Sequence, residues 1–287
     1  MTVNRKKMKA LIFLLLYSQP FFMYLPIILI HPLLKKIIPV EYLSIFQWVI
    51  ISVFSLLAMK YIFFRKELNN ERILHFIGLK PIRIIYLLEG VIGGGILSMI
   101  VCFTIFKNLS INMDFDYKGI LLATLIGFVP VLIQAGTEEI IFRGTINSIC
   151  EKKLKISSWT VSLFSSVLFG MIHWEAYGLG KNPAALWMML AAFLMGIVLS
   201  GVTFLSNSLW IAIGIHTIWN VLESSILEHT IGKEKVTMLT SNNSNFFFTS
   251  YESNRLTLIV LTMLAIFTMY KLIKNSTRKP ELTKPRN

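Results

Sequence analysis

Six polar side chains that together could activate water for hydrolysis lie in stretches of this chain that are otherwise apolar. They fall into three patterns, Glu138-Glu139-x-x-x-Arg143, Phe169-x-x-x-His173 and His216-x-x-x-Asn220. Residues four apart share one face of a helix. Ionisable groups at membrane depth are costly unless they pair, face a polar cavity or take part in chemistry. We therefore predict one buried hydrolytic site, formed by Glu138, Glu139, Arg143, His173, His216 and Asn220.

The first pattern contains two carboxylates in different positions relative to the arginine. Glu139 precedes Arg143 by four residues, which is the favourable order for a helical ion pair. Glu138 is rotated by about 100° around the helix, and the residue four positions after it is Phe142. We therefore predict that Glu138 is the general base, which takes a proton from water, and that Arg143 holds Glu139 as a structural acid. The alternative, that both acids only brace helices, stays open.

Two chemistries fit this set of residues. In one, His173, His216 and a glutamate, Glu138, hold Zn²⁺, which would lower the pKa of a bound water. In the other no metal is needed: Glu138 and His173 activate the water, and His216 and Asn220 donate hydrogen bonds to the developing oxyanion. The compact H-E-x-x-H zinc motif does not occur in the sequence, and Asn220 suits an oxyanion better than zinc. The second chemistry is favoured, and the cofactor is expected to be none or zinc.

The composition is that of an integral membrane protein. The 287 residues are 55% hydrophobic and only 15% charged, with a mean hydropathy of +0.66, whereas a soluble domain carries about 25% charged residues. No long polar linker or internal repeat divides the chain, so we expect one membrane domain over residues 1–287. The net charge of +13 indicates contact with anionic lipid, and no nucleic-acid-binding pattern is present.

Apolar runs predict an all-α polytopic fold of about eight transmembrane helices, since a span needs about 20 apolar residues. The site belongs to the fourth, fifth and seventh runs, and the fourth must continue past Arg143 to about Cys150 if its acids are to reach the depth of the histidines. Gly90 and Gly94 should allow a close helix contact, and residues 232–254 should form a polar loop. The eight runs are residues 10–31, 42–64, 84–106, 119–150 in part, 157–173, 184–205, 208–223 and 256–273.

The positions of the lysines and arginines predict the orientation in the membrane. They concentrate before the first run, in alternate loops and in the C-terminal tail. Because cytoplasmic loops carry this excess of positive charge, both termini are expected to be cytoplasmic. The Lys-, Asn- and Ile-rich composition is typical of AT-rich bacterial genomes, so the expected location is a bacterial cell membrane.

The three patterns, in this order, resemble those of the CPBP family. This family comprises the type II CAAX prenyl endopeptidases and the bacteriocin-processing or immunity proteins, also called Abi proteins. The likeness covers about residues 119–222. It implies an intramembrane endopeptidase in which Glu138 is the water-activating acid, and in which Glu139 with Arg143, His173, and His216 with Asn220 complete the three motifs. The family has been described both as metalloproteases and as glutamate-dependent proteases.

The resemblance further implies a substrate that is a membrane-associated peptide or a lipidated protein. Nothing in the residues identifies a prenylated C-terminus, so peptide processing, bacteriocin maturation and self-immunity stay open. A non-catalytic immunity or scaffold protein is the alternative to a peptidase. A transporter is a third possibility, because intramembrane Glu and His also serve proton relays, but no repeated halves support it.

Overall fold

The computed structural model describes most of the predicted membrane domain. The described residues are 31–38, 40–63, 70–106, 109–111, 117–174, 178–226, 229–231, 234–236, 239–241 and 255–278. Most of these residues are helical, which confirms the all-α class for the described part of the chain. The first predicted span, residues 10–31, lies almost wholly outside the described residues, so the count of eight spans stays a prediction.

The described helices follow the apolar runs of the sequence. A helical stretch over residues 31–37 comes first. The remaining helices are α1 (Val40–Phe63), α2 (Asn70–Phe76), α3 (Ile84–Phe106), α4 (Tyr117–Glu139), α5 (Ser158–Ile172), α6 (Ala185–Ser206), α7 (Leu209–Ile226) and α8 (Arg255–Arg278). The short helix α2 was not predicted, because it lies in a polar stretch between two apolar runs.

Three of the described helices are long and apolar enough to cross a membrane. These stretches are Ile84–Val101 in α3, Ala185–Ser206 in α6 and Arg255–Ser276 in α8. Shorter apolar stretches occur in α1, α5 and α7. Length and composition therefore indicate an integral membrane protein, because stretches of this kind match the thickness of the hydrocarbon core.

Helix α4 changes from α-helical to π-helical winding within the fourth predicted run, which is residues 119–150 in part. From Ile140 to Asn147, and again from Ile149 to Lys153, the backbone is a π-helix. Thr145 shows this winding, since its hydroxyl donates to the carbonyl oxygen of Ile140, five residues back, at 2.9 Å. The helix nevertheless continues past Arg143 and Cys150, as predicted from the need for its acids to reach the depth of the histidines. π-Helical turns are rare and occur mostly at functional sites.

Helices α3 and α7 pack closely through glycine, as the Gly90 and Gly94 spacing predicts. A Cβ atom added at Gly94 would come within 2.8 Å of the Ile215 Cα atom, and one added at Gly90 would overlap the Ile211 carbonyl oxygen. Gly214 of α7 faces α3 in the same way, against Leu87. This contact fixes the position of α7. The same helix also packs on α4, while α6 packs on both α5 and α8.

The region predicted as a polar loop, residues 232–254, contains short strands where the structure describes it. The strand Glu234–Val236 pairs antiparallel with His229–Ile231, and Leu239–Ser241 pairs antiparallel with Leu109–Ile111. The loop prediction was therefore wrong for six residues of that region. Strands of three residues bury too little apolar surface to leave a periodic signal in the sequence.

One end of the helix bundle, here called the basic end, carries many of the described cations, among them Lys80, Arg83, Lys152, Lys153, Lys155, Lys271 and Lys274. Backbone and side-chain contacts hold its loops together. The Lys152 ammonium donates to the carbonyl oxygen of Phe76 at 2.6 Å, and the Leu209 N–H donates to the carbonyl oxygen of Gly78 at 3.0 Å. Helix α7 begins at this end, so His216 lies about 10 Å along the helix from it.

We expect Gly90→Ala to destabilise the protein by about 1–3 kcal/mol, because the added methyl group overpacks the contact between α3 and α7. Gly93→Ala, on the same helix, is the matched control, since no described atom lies within 4 Å of its added Cβ. Thermal unfolding in detergent measures both variants. Equal melting temperatures for the two would show that α3 and α7 do not approach each other at Gly90.

Candidate active site

The two adjacent carboxylates lie at the junction between α4 and the π-helix. Glu139 is the last residue of α4, and Arg143 lies one turn into the π-helical segment. Arg143 Nη1 donates to Glu139 Oε1 at 3.0 Å. Arg143 is 1% exposed and Glu139 is 0% exposed. The predicted ion pair is therefore present and fully buried, where a charge without a partner would be strongly destabilising.

Arg143 also connects the site to two other helices. Its Nη2 donates to the carbonyl oxygen of Gly196 in α6 at 3.2 Å. Its guanidinium carbon lies 4.4 Å from the centroid of the Phe169 ring in α5. A planar guanidinium can hydrogen-bond at its edge and stack on a ring at its face. The arginine thus fixes the orientation of Glu139 relative to both α5 and α6.

His216 of α7 lies between the two carboxylates. Its Nδ1 is 2.9 Å from Glu139 Oε1, and its Nε2 is 3.9 Å from Glu138 Oε2. Because an ionised carboxylate can only accept, Nδ1 is the donor in the first contact. The Nε2 atom is thereby directed toward Glu138. One imidazole therefore connects the structural ion pair to the candidate base.

Glu138 is 4% exposed and has one oxygen engaged and one free. Gln134, one turn earlier in α4, donates from Nε2 to Glu138 Oε1 at 3.3 Å. No residue that the structure describes donates a hydrogen bond to Oε2. The 3.9 Å from Oε2 to His216 Nε2 is too long for a direct hydrogen bond but suits one bridging water. This oxygen is therefore placed to meet a water molecule.

His173 joins the site through Phe169. It caps the C-terminus of α5, is half-buried, and its Nδ1 is 2.6 Å from the Phe169 carbonyl oxygen. A carbonyl oxygen only accepts, so Nδ1 carries the proton, and Nε2 of a neutral ring is left as an acceptor. The Phe169 ring contacts both imidazoles at steep angles, with centroids 4.8 Å from His173 and 5.8 Å from His216. Phe169 therefore lies against both histidines.

Asn220 follows His216 by one turn of α7 and is half-buried. Its side chain makes no hydrogen bond to the part of the chain that the structure describes. The structure therefore brings Glu138, Glu139, Arg143 and His216 into contact, and links His173 to them through Phe169. Asn220 shares a helix with His216, but among the described residues no side-chain hydrogen bond or ion pair joins it to the other five.

Three contributors to the site were not predicted from the sequence. Gln134 could have been found, since it precedes Glu138 by four residues and so shares its face of α4. Phe169 was noted only as a member of a pattern, although its place one turn before His173 put it beside the imidazole. The Gly196 carbonyl gives no signal, because a backbone acceptor on a distant helix depends on the tertiary packing.

The zinc alternative requires Glu138, His173 and His216 to converge on one metal position. Among the described residues, no group of three or more His, Cys, Asp or Glu side chains is placed so that it could hold a metal ion. The Nδ1 atoms of His173 and His216 are engaged by Phe169 and Glu139, which leaves the Nε2 atom of each ring as the one that could meet a metal ion or a water. Because the three proposed ligands do not converge on one position, the proposed mechanism contains no zinc step.

The fold and the site together define a polytopic helical membrane protein with a buried carboxylate–imidazole cluster. Residues 120–222 match the family model described as Type II CAAX prenyl endopeptidase Rce1-like. This segment is thus a domain of the CPBP family, which confirms the resemblance, and it contains all three motifs. The match spans less than half of the chain. No curated protein and no solved structure matches the chain.

We expect Arg143→Met to destabilise the protein by about 3–5 kcal/mol, because it leaves the Glu139 charge buried without its cation. Adding Glu139→Gln should recover most of that loss, since a neutral amide keeps a hydrogen-bonding oxygen near His216 without a net charge. Thermal unfolding of the single and double variants gives the coupling between the two residues. Additive losses would mean that the pair contributes no mutual stabilisation.

Proposed function

We propose that this protein is an intramembrane endopeptidase that hydrolyses a peptide bond of a membrane-associated or lipidated peptide or protein. The observation that carries the proposal is the His216 imidazole held between the buried Glu138 and Glu139 carboxylates. The match of residues 120–222 to a family of endopeptidases supports the same reaction class.

The reaction begins with a water at the free oxygen of Glu138. Glu138 Oε2 takes a proton from this water as the water oxygen attacks the scissile carbonyl carbon, and His173 Nε2 accepts its other hydrogen as a hydrogen bond. The carbonyl oxygen becomes an oxyanion. The protonated Glu138 then gives its proton to the leaving nitrogen as the carbon–nitrogen bond breaks. The proton taken from water thus ends on the released amine.

The oxyanion is stabilised by two donors from α7. The protonated ring of His216 donates its Nδ1–H to Glu139 and its Nε2–H to the oxyanion. Asn220 donates to the oxyanion from its side-chain amide. Both lie on one face of α7, so both can reach one oxygen. Glu139 and Arg143 do not react. They fix the ring of His216 and supply the negative charge that favours its protonated form.

The proposed orientation follows from the basic end of the bundle. Its lysines and arginine belong on the cytoplasmic side, since positive charge concentrates there. Helix α8 ends at this end with Arg278, so we propose that the C-terminus is cytoplasmic, and we extend this to the N-terminus because it is also basic. The proposed location is a bacterial cell membrane, with the whole chain forming one membrane domain.

We expect Glu138→Gln to lower peptide cleavage by at least about 10²-fold, because the amide cannot accept the proton of water. The melting temperature should change little, since the amide keeps the contact with Gln134. Glu89→Gln, which alters an exposed carboxylate of α3, is the control and should cleave at the original rate. Unchanged cleavage by a folded Glu138→Gln protein would rule out this base and favour a non-catalytic scaffold.

We expect a zinc chelator to leave the cleavage rate unchanged, because the described ligands do not converge on a metal position. Purified protein is incubated with the chelator and assayed on the same peptide, with a known zinc peptidase treated in parallel as the control. A loss of activity that added Zn²⁺ restores would support the zinc chemistry and contradict the proposed one.

A further inference from the structure

A cavity of about 710 Å³ lies at the basic end, apart from the candidate active site. Its walls come from the loop after the π-helix, the turn between α6 and α7, and the last turns of α8. Polar groups of different elements face it, among them Lys155, Ser157, Asn207 and Asn275. Three separate parts of the chain thus share one polar cavity that the peptidase mechanism does not use.

The cavity carries more positive than negative charge. Lys152 and Lys155 line it together with one acid, Glu151. The Lys152 ammonium is already engaged, since it donates to the Phe76 carbonyl oxygen and lies 5.0 Å from the centroid of the Phe76 ring. The side chain of Lys155 makes no ion pair or hydrogen bond with any residue that the structure describes. Lys155 is therefore the cation that is available to a ligand.

The backbone at Lys155 ends the π-helix. Its φ angle is 58°, in the left-handed region that commonly terminates a helix. The Ile156 N–H donates to the carbonyl oxygen of Cys150 at 3.0 Å, which closes this helix end. Asn207, with a φ angle of 54°, ends α6 in the same conformation and lines the same cavity. Two helix ends therefore meet at the cavity.

We propose that this cavity binds the phosphate-bearing headgroup of an anionic phospholipid. The Lys155 ammonium would pair with the phosphate, and the hydroxyl of Ser158 and the amide groups of Asn207 and Asn275 would donate to its oxygens. Basic pockets at the cytoplasmic side of helix bundles are typical sites for such headgroups. The net charge of +13 attracts anionic lipid to the same surface.

The apolar side of the cavity favours a lipid over a free anion. Leu205, which is 45% exposed, lines the cavity, and Leu272 lines it from α8. Ile273, which follows Leu272 in the sequence, is exposed on α8. A headgroup in the cavity would therefore have apolar side chains beside the start of its acyl chains. This proposal does not depend on the peptidase activity.

The test measures lipid binding to the purified protein in neutral detergent by native mass spectrometry. Phosphatidylglycerol and phosphatidylcholine with identical acyl chains are titrated separately, and phosphatidylglycerol should bind in preference. Lys155→Asn should weaken phosphatidylglycerol binding by about fivefold, which is what one lysine contributes at an anionic surface. Binding of phosphatidylcholine should not change. Asparagine keeps the left-handed backbone, so folding is retained, and Lys155→Arg should retain the binding.

The matched control is Lys153→Asn, which removes the same charge from an exposed neighbour that does not line the cavity. It should leave phosphatidylglycerol binding nearly unchanged. An equal loss in both variants would mean general surface attraction and would overturn the proposal. Inorganic phosphate is added in a parallel titration. If phosphate alone displaces the lipid at comparable concentration, or if no lipid preference exists, the headgroup assignment is wrong.

Discussion

The structure depends on neutralising charge that is buried within the helix bundle. Glu139 and Arg143 are both almost without exposure, and each would be strongly destabilising alone. The arginine resolves this by contacting three helices at once: it pairs with Glu139, donates to the Gly196 carbonyl oxygen and stacks on Phe169. The same carboxylate oxygen contacts His216. A single charge cluster therefore ties α4, α5, α6 and α7 together and sets the geometry around Glu138.

Glycine makes this convergence possible. Gly90 and Gly94 let α3 lie directly against α7, so α7 can be held at a fixed depth. Gly170 has a similar role between α5 and α6, where an added Cβ would come within 2.8 Å of the Met189 carbonyl oxygen. In lipid, where burial of apolar surface gives helices little reason to associate, such close backbone contacts supply much of the attraction. The polar cluster then specifies which faces meet.

Much of the site could be predicted from the sequence because its signals are local. The pairing of Glu139 with Arg143 follows from their spacing, and the position of His173 at a helix end follows from where the apolar run stops. The π-helix after Glu139 was not predictable. The spacing of four residues between Glu139 and Arg143 suits an α-helix and gives no sign that the winding changes. The hydrogen bond of His216 to Glu139 joins residues 77 positions apart in sequence, so no local pattern reports it. The left-handed backbone of Lys155 likewise has no sequence signal.

The central claim is that Glu138, which takes the proton of the water, and His216, which donates to the oxyanion, act as one unit in the same attack on the scissile carbonyl. A double-mutant cycle on the single-turnover cleavage rate tests this most directly, with Glu138→Gln, His216→Phe and the combined variant compared at equal folded concentration. Groups that act as a unit give strongly non-additive losses, so the combined variant should be about as slow as the slower single variant. Losses that add fully, in free energy, would contradict the account and would place the two side chains in independent roles.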